Sequence, residues 1–320
     1  MPKRTRISSA RFSGCKGIKN CQMNKKIIIF LREDSAIGSR ELCGIIEGVS
    51  SGSGEWYVNK AFAEKARAEA GIEIPEVRQY VYPTAEMTRD AVILSCGGDG
   101  TFLEAVRYAY EYGIPIAGVN YGHLGFLSNA PRESMSEIVQ KLRSGEFTVQ
   151  PRTMLHVEDS SGTITDHPYA LNEFTICRSE INMTYIDVYV GPERLATYRG
   201  DGVLVSTPTG STAYSLSVGG PIVDPLCNCL IVAPVAPHNL AVRPVVIPDT
   251  SVVTLRASSR ADNMSASLDN RTFTVPCETV FTLRKAEKPV FLINLQNISF
   301  YDTLRNKMMW GLNSWDSSLQ

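Results

Sequence analysis

From Ile27 onward, apolar residues fall in short solid runs separated by stretches in which they recur every three or four positions. Solid runs of four to eight mark strands buried on both faces, and the longer period marks helices packed along one side. Ile27 to Leu31 is expected as the first strand. Ala91 to Ser95 is another, giving way at Gly97-Gly98-Asp99-Gly100 to a helix that carries Phe102, Leu103, Val106, Ala109 and Tyr110. Gly113 should stop that helix, with Pro115 beyond it. Ile114 to Val119 follows as a strand, and Ser134 with Glu137 forms a capping-box pattern ahead of Ile138, Val139 and Leu142, closed by Gly145. This alternation predicts an α/β domain built on a parallel sheet with crossover helices.

Beyond about Thr148 the period shortens to two, as in Ile186, Val188 and Val190 before the turn Gly191-Pro192. Leu268-Asp269-Asn270-Arg271 reads as a hairpin connection, and Val290 to Leu295 as a late strand. The expected organisation is an α/β phosphate-loop domain over 23–147, a β-rich domain over 148–285, and a segment 286–320 that packs back on the first domain. Met1 to Lys26 holds eight basic residues and no acidic one. Met23 stands just before the first strand, so residues 1–22 are expected to be a disordered extension.

At 320 residues the chain suits two domains, and 43% hydrophobic with 20% charged residues supports substantial cores. The formal net charge of -1 leaves no global field to recruit nucleic acid or an anionic membrane. A small-molecule partner with local charge recognition is expected. The eight cysteines (Cys15, Cys21, Cys43, Cys96, Cys177, Cys227, Cys229, Cys277) form no CxxC pair and have no histidines at zinc spacing. They read as reduced thiols of a cytoplasmic protein, with no protein-built metal site. No run approaches the roughly 20 apolar residues of a membrane-spanning helix.

Three clusters carry candidate chemistry. Gly97-Gly98-Asp99-Gly100-Thr101 lies where a buried strand turns into a helix, where glycines let backbone N–H groups and the helix N-terminus meet a phosphate. The tetrapeptide alone also fits an ordinary turn. Asp99, a carboxylate beside such a cradle, points to taking a proton from a hydroxyl or holding a cation. Arg199-Gly200-Asp201-Gly202 leads through Val203 to Val205 into the hydroxyl-rich Ser206 to Tyr214, suited to capping a helix and to binding ribose or phosphate oxygens. Asn172-Glu173, within the strand-like Tyr169 to Cys177, offers donors and acceptors for a vicinal diol or an adenine edge. There is no GxxxxGK[ST], and no GxGxxG after the first strand, which sets aside P-loop and Rossmann readings.

In this order the clusters resemble the NAD kinase family, over a span from about Lys25 to Gly311. Gly118-Val119-Asn120, Gly122 to Leu127, Gly219-Gly220-Pro221, Pro237-His238, Arg243-Pro244 and Leu268-Asp269 add to the resemblance. It implies a transferase that moves the γ-phosphate of ATP to the 2′-hydroxyl of the adenosine ribose of NAD, giving NADP and ADP, in a cleft between the two domains. It implies Asp99 as general base, Gly97, Gly98, Gly100 and Thr101 as the phosphate loop, and Mg²⁺ or another divalent cation entering with ATP. It implies NAD contacts from Leu124, Phe126, Asn172, Glu173, Arg199, Asp201, Thr209, Thr212, Ala213, Tyr214 and Ser217, in a homodimer or homotetramer whose subunits complete one another's sites. An arginine at 199 resembles NAD-preferring members. Asn270 departs from the family, in which glycine commonly follows the Asp, and leaves the role of Asp269 open. His123 and His238 are read as structural.

Lipid kinases share a GGDGT loop, but the stretch after it here reads Gly118-Val119-Asn120-Tyr121-Gly122, unlike theirs. A nucleotide sensor without catalysis would not need Asp99.

Overall fold

The computed structural model describes residues 25–121, 125–128, 135–180, 183–296 and 298–309. The extension 1–22, Met23, the Ser134 cap, His123, Leu124 and residues 310–320 lie outside them.

Seven strands form the first sheet, in the order β3 (Gln79–Tyr80), β2 (Trp56–Asn59), β1 (Lys26–Phe30), β4 (Ala91–Cys96), β5 (Ile116–Val119), β19 (Val290–Asn294) and β6 (Thr148–Arg152). All neighbours are parallel except β6, which runs antiparallel to β19 at one edge. The solid apolar runs are explained by two-sided burial. Ile27 and Ile29 join one core with Leu42 and Ile45 of α1 (Ser39–Ser50), Phe62 of α2 (Lys60–Ala70) and Ile138 of α5 (Met135–Ser144), while Ile28 and Phe30 face Phe102 and Val106 of α4 (Asp99–Tyr112). A one-turn helix, α3 (Ala85–Thr88), precedes β4. Gly113 ends α4 in the left-handed conformation, at φ 67°.

Twelve further strands make a sandwich of two antiparallel sheets. One has the order β11 (Glu193–Gly200), β10 (Thr184–Val190), β15 (Val253–Ser259), β18 (Val280–Lys285), β7 (Leu155–Asp159) and β8 (Tyr169–Ala170). The other has the order β14 (Val245–Pro248), β13 (Cys229–Val235), β12 (Gly202–Ser206), β9 (Glu173–Arg178), β16 (Asn263–Leu268) and β17 (Arg271–Pro276). Their alternate residues, among them Ile186, Val188, Val203, Leu255 and Phe281, interdigitate in one core. The chain leaves the first sheet after Arg152 and returns to it at Val290, so the sandwich is an insertion between β6 and β19.

Two local readings change. The Tyr169 to Cys177 stretch is broken at Leu171-Asn172, between β8 and β9. The segment after β12 is a 3₁₀ turn, Thr209–Thr212, followed by the single-turn α6 (Tyr214–Ser217), with the Thr207 and Ser211 hydroxyls spent on tertiary bonds. α7 (Phe300–Met308) closes the described chain with a capping box between Ser299 and Asp302.

Candidate functional site

The β4–α4 turn is built on Gly97, whose φ of 152° is open to glycine and strained for other residues. A side chain there would also strike Thr101. Gly98 precedes the helix without a side-chain cap, so the first N–H groups of α4 are not answered by a capping side chain, and Asp99 occupies the first turn. The Asp99 carboxylate faces the loop after β5. Oδ2 accepts the Phe126 N–H at 2.9 Å, and Oδ1 accepts those of Leu127 and Ser128 at 3.3 and 3.2 Å. Among the described residues these three bonds take about three of the roughly four acceptor positions of the carboxylate. Gly125 makes this approach possible, because a Cβ there would collide with the carboxylate.

The strand break at Leu171-Asn172 is held by Asp269 at the β16–β17 hairpin. Asp269 is left-handed, at φ 52°, which Asp tolerates, and Asn270 is not, so the glycine missing at 270 is not needed by this turn. The Asp269 carboxylate accepts the N–H groups of Leu171, Asn172 and Glu173 at 2.8, 2.7 and 3.2 Å. The Asn172 carbonyl in turn accepts from Thr207 N–H and the Ser206 hydroxyl. Burial pushes the Glu173 carboxyl up to about 8, with Asp269 adding to the rise and the Tyr214 N–H opposing it. Burial raises Asp269 as well. Glu173 Oε2 and Thr209 Oγ1 are buried without a protein hydrogen-bond partner.

Asp99, Phe126, Asn172, Thr209, Thr212 and Ala213 line one cleft of about 180 Å³ between the first sheet and the sandwich. Glu173 is buried and does not line the cleft, and Tyr214 and Ser217 are exposed outside it. Arg199 and Asp201 do not join this cleft. Arg199 stacks on Tyr185 and, with Arg194 and Asn239, lines a separate hollow of about 370 Å³, and Asp201 pairs with Arg178 at 2.8 Å. The His238 N–H bonds the Arg199 carbonyl.

Part of the lining was not foreseen from the sequence. It includes Gln150 and Arg152 on β6, Leu292 and Asn294 on β19, and Phe300 and Thr303 on α7. The Gln-x-Arg spacing that puts two side chains on one strand face was the available signal for the first pair. α7 also reaches the Asp99 loop, with Lys307 Nζ 4.1 Å from the centre of the Phe126 ring. Burial lowers that ammonium, against the opposing pull of Asp99. Among the described residues no group of three or more His, Cys, Asp or Glu could hold a metal ion, and no helix is long and apolar enough to cross a membrane.

A glycine-opened helix end facing a polar cleft beneath a β-sandwich defines a nucleotide-dependent phosphotransferase. Comparison with known proteins specifies which. Family models of the ATP-NAD kinase N-terminal and C-terminal domains match residues 48–147 and 171–295. An NAD kinase of Flavobacterium psychrophilum is 42% identical over 223 residues, 69% of this chain and 76% of that one. One of Cytophaga hutchinsonii is 35% identical over 261 residues, 81% and 89% of the two chains. Among solved structures, yeast NADH kinase complexed with NADH superposes with a TM-score of 0.77 at 20% identity, covering 90% of this chain and 88% of that one. An NAD kinase from Archaeoglobus fulgidus in complex with ATP gives 0.67 at 22% identity, covering 89% and 98%. The chain belongs to the ATP-NAD kinase family. α7 lies beyond both matched segments.

Proposed function

We propose that Asp99 is the general base of NAD phosphorylation in this cleft. Its carboxylate takes the proton of the adenosine 2′-hydroxyl as that oxygen bonds to the γ-phosphorus of ATP. The bond to the β–γ bridging oxygen breaks and ADP leaves. The observation that carries this reading is the position of Asp99, on the first turn of α4 and at the wall of the cleft at once. Gly97, Gly98, Gly100 and Thr101 present the uncapped helix end to phosphate. Asn172, Glu173, Thr209, Thr212 and Ala213 bind the adenosine side of NAD, where Glu173 Oε2 and Thr209 Oγ1 have hydrogen bonds still to make. Phe126 packs on the ligand, with Tyr214 and Ser217 at the rim.

A whole dinucleotide exceeds a cleft of about 180 Å³, since sites that engulf a ligand run to roughly 300–1,000 Å³, so part of NAD extends outward. Arg199 and Asp201, placed elsewhere on the subunit, serve the cleft of a neighbouring copy in a homodimer or homotetramer, and Arg199 favours NAD over NADH. A divalent cation, Mg²⁺ in the cytoplasm, enters on the ATP phosphates and supplies charge neutralisation there.

Replacement Asp99→Asn tests the assignment. NAD binding by calorimetry is expected to persist while turnover falls by roughly 10²- to 10⁴-fold, the usual worth of a positioned base. Unchanged turnover would remove Asp99 from the mechanism.

A further inference from the structure

Arg152 lines the cleft but has been given no role in the proposed reaction, and its environment is hard to explain structurally. It stands on β6, two residues from Gln150, and lines the same cleft as Asn172 and Thr209. Among the described residues its side chain makes one hydrogen bond, from a terminal nitrogen to Gln150 Oε1 at 2.8 Å, and its Nε is buried without a protein partner. No carboxylate among the described residues stands within 4.0 Å of it. Asp224 acts on it only at longer range, and burial pulls the guanidinium down to about 10. A stripped guanidinium with unmet donors is costly unless something answers it, and its planar fork matches a phosphate or carboxylate. Among the described residues lining the cleft, Arg152 is the one cation and Asp99 the one anion. Lys307, which feels the charge of Asp99, stacks on Phe126.

We infer that Arg152, oriented by Gln150, is a binding residue for a phosphoryl group of a nucleotide substrate, in the cleft that the proposed adenosine-binding residues also line. This rests on the cleft being the nucleotide site. The phosphoryl group belongs either to the ATP phosphate chain or to the pyrophosphate of NAD, and the arms of the test separate them.

The experiment compares the parent chain with Arg152→Gln and Arg152→Lys. Inorganic tripolyphosphate is titrated by calorimetry, and KM for ATP and for NAD is measured separately. Hydrogen bonds to charged groups at this strength correspond to roughly 10- to 100-fold in affinity. Arg152→Gln is expected to weaken tripolyphosphate binding by at least about tenfold. It should raise the KM of one nucleotide by about 10- to 100-fold, with kcat changed by less than about threefold, and the nucleotide affected names the phosphate. Arg152→Lys, which keeps the charge and loses the fork, should fall between. Tripolyphosphate binding and both KM values unchanged in Arg152→Gln would overturn the inference. Were that variant not to fold, the same invariance in Arg152→Lys would overturn it. The calorimetric arm needs no turnover, so it stands or falls apart from the role of Asp99.

Discussion

Asp99 is asked to do two things, to anchor a loop through three N–H groups and to accept a proton, and its geometry constrains how both are met. The anchoring bonds fix the carboxylate within hydrogen-bonding distance of the loop, and a side chain at Gly125 would occupy that space. Gly125→Ala should therefore displace the carboxylate and lower kcat by about as much as Asp99→Asn; kcat retained in that variant would mean the anchor is dispensable. Glu173 gives a prediction of a different sign. Its carboxyl ordinarily titrates at 4.5, and in the fold burial followed by Asp269 lifts it to about 8. Below 4.5 both folded and unfolded chains hold the proton. Between 4.5 and about 8 the unfolded chain gives it up first, so the stability contributed by the neutral carboxyl is complete at low pH and lost as pH rises to about 8. Glu173→Gln removes that dependence. Its melting temperature relative to the parent should climb from pH 5 to pH 8, and a difference independent of pH would show Glu173 ionised throughout.

At the scale of elements, α7 is the wall of the cleft with the least support. It is nine residues long, contributes Thr303 and Leu304 to buried positions, and begins at a Ser299–Asp302 capping box. Removing a capping hydroxyl costs about 1 kcal/mol. Ser299→Ala should quicken amide exchange within α7 about fivefold and leave the strands of the first sheet unchanged; equal protection in both proteins would mean that packing, including Lys307 on Phe126, holds the helix without its cap. What the sequence disclosed about elements follows from how local each signal is. Of the first-sheet strands, β1, β4, β5 and β19 were legible as solid apolar runs, as in Ile27 to Ile29, whereas the short or more polar β2, β3 and β6 were not read; α4 was legible because its stripe and its Gly113 stop lie on one segment. The break at Asn172 was not legible, since it depends on Asp269, 97 residues away along the chain. The phosphate loop and the hydroxyl cluster were visible as compositions, whereas Gln150, Arg152 and Thr303 are ordinary residues brought to the cleft by strand pairing and helix docking.

For the whole molecule, the decisive feature is that the sandwich is inserted into the first sheet. β19 returns after the sandwich to lie between β5 and β6, and the described pairing of β6 with the sheet is through β19 alone. Val290 and Leu292 are buried in the core beneath α4. Withdrawing two such side chains costs about 1.5–3 kcal/mol each, before the five residue pairs between β6 and β19 are counted, against a typical domain stability of about 5–15 kcal/mol. The sandwich core, by contrast, is complete by Leu283. A chain ending at Glu287 should therefore lose the first domain and keep the second. The helical circular dichroism of α1, α2, α4 and α5 should collapse, and limited proteolysis should leave a resistant β-rich fragment beginning near Leu155. Full helical signal in the shortened chain would mean that β1, β2, β4 and β5 with their helices form a self-sufficient sheet. In that case β19 would serve the cleft, through Leu292 and Asn294, more than the fold.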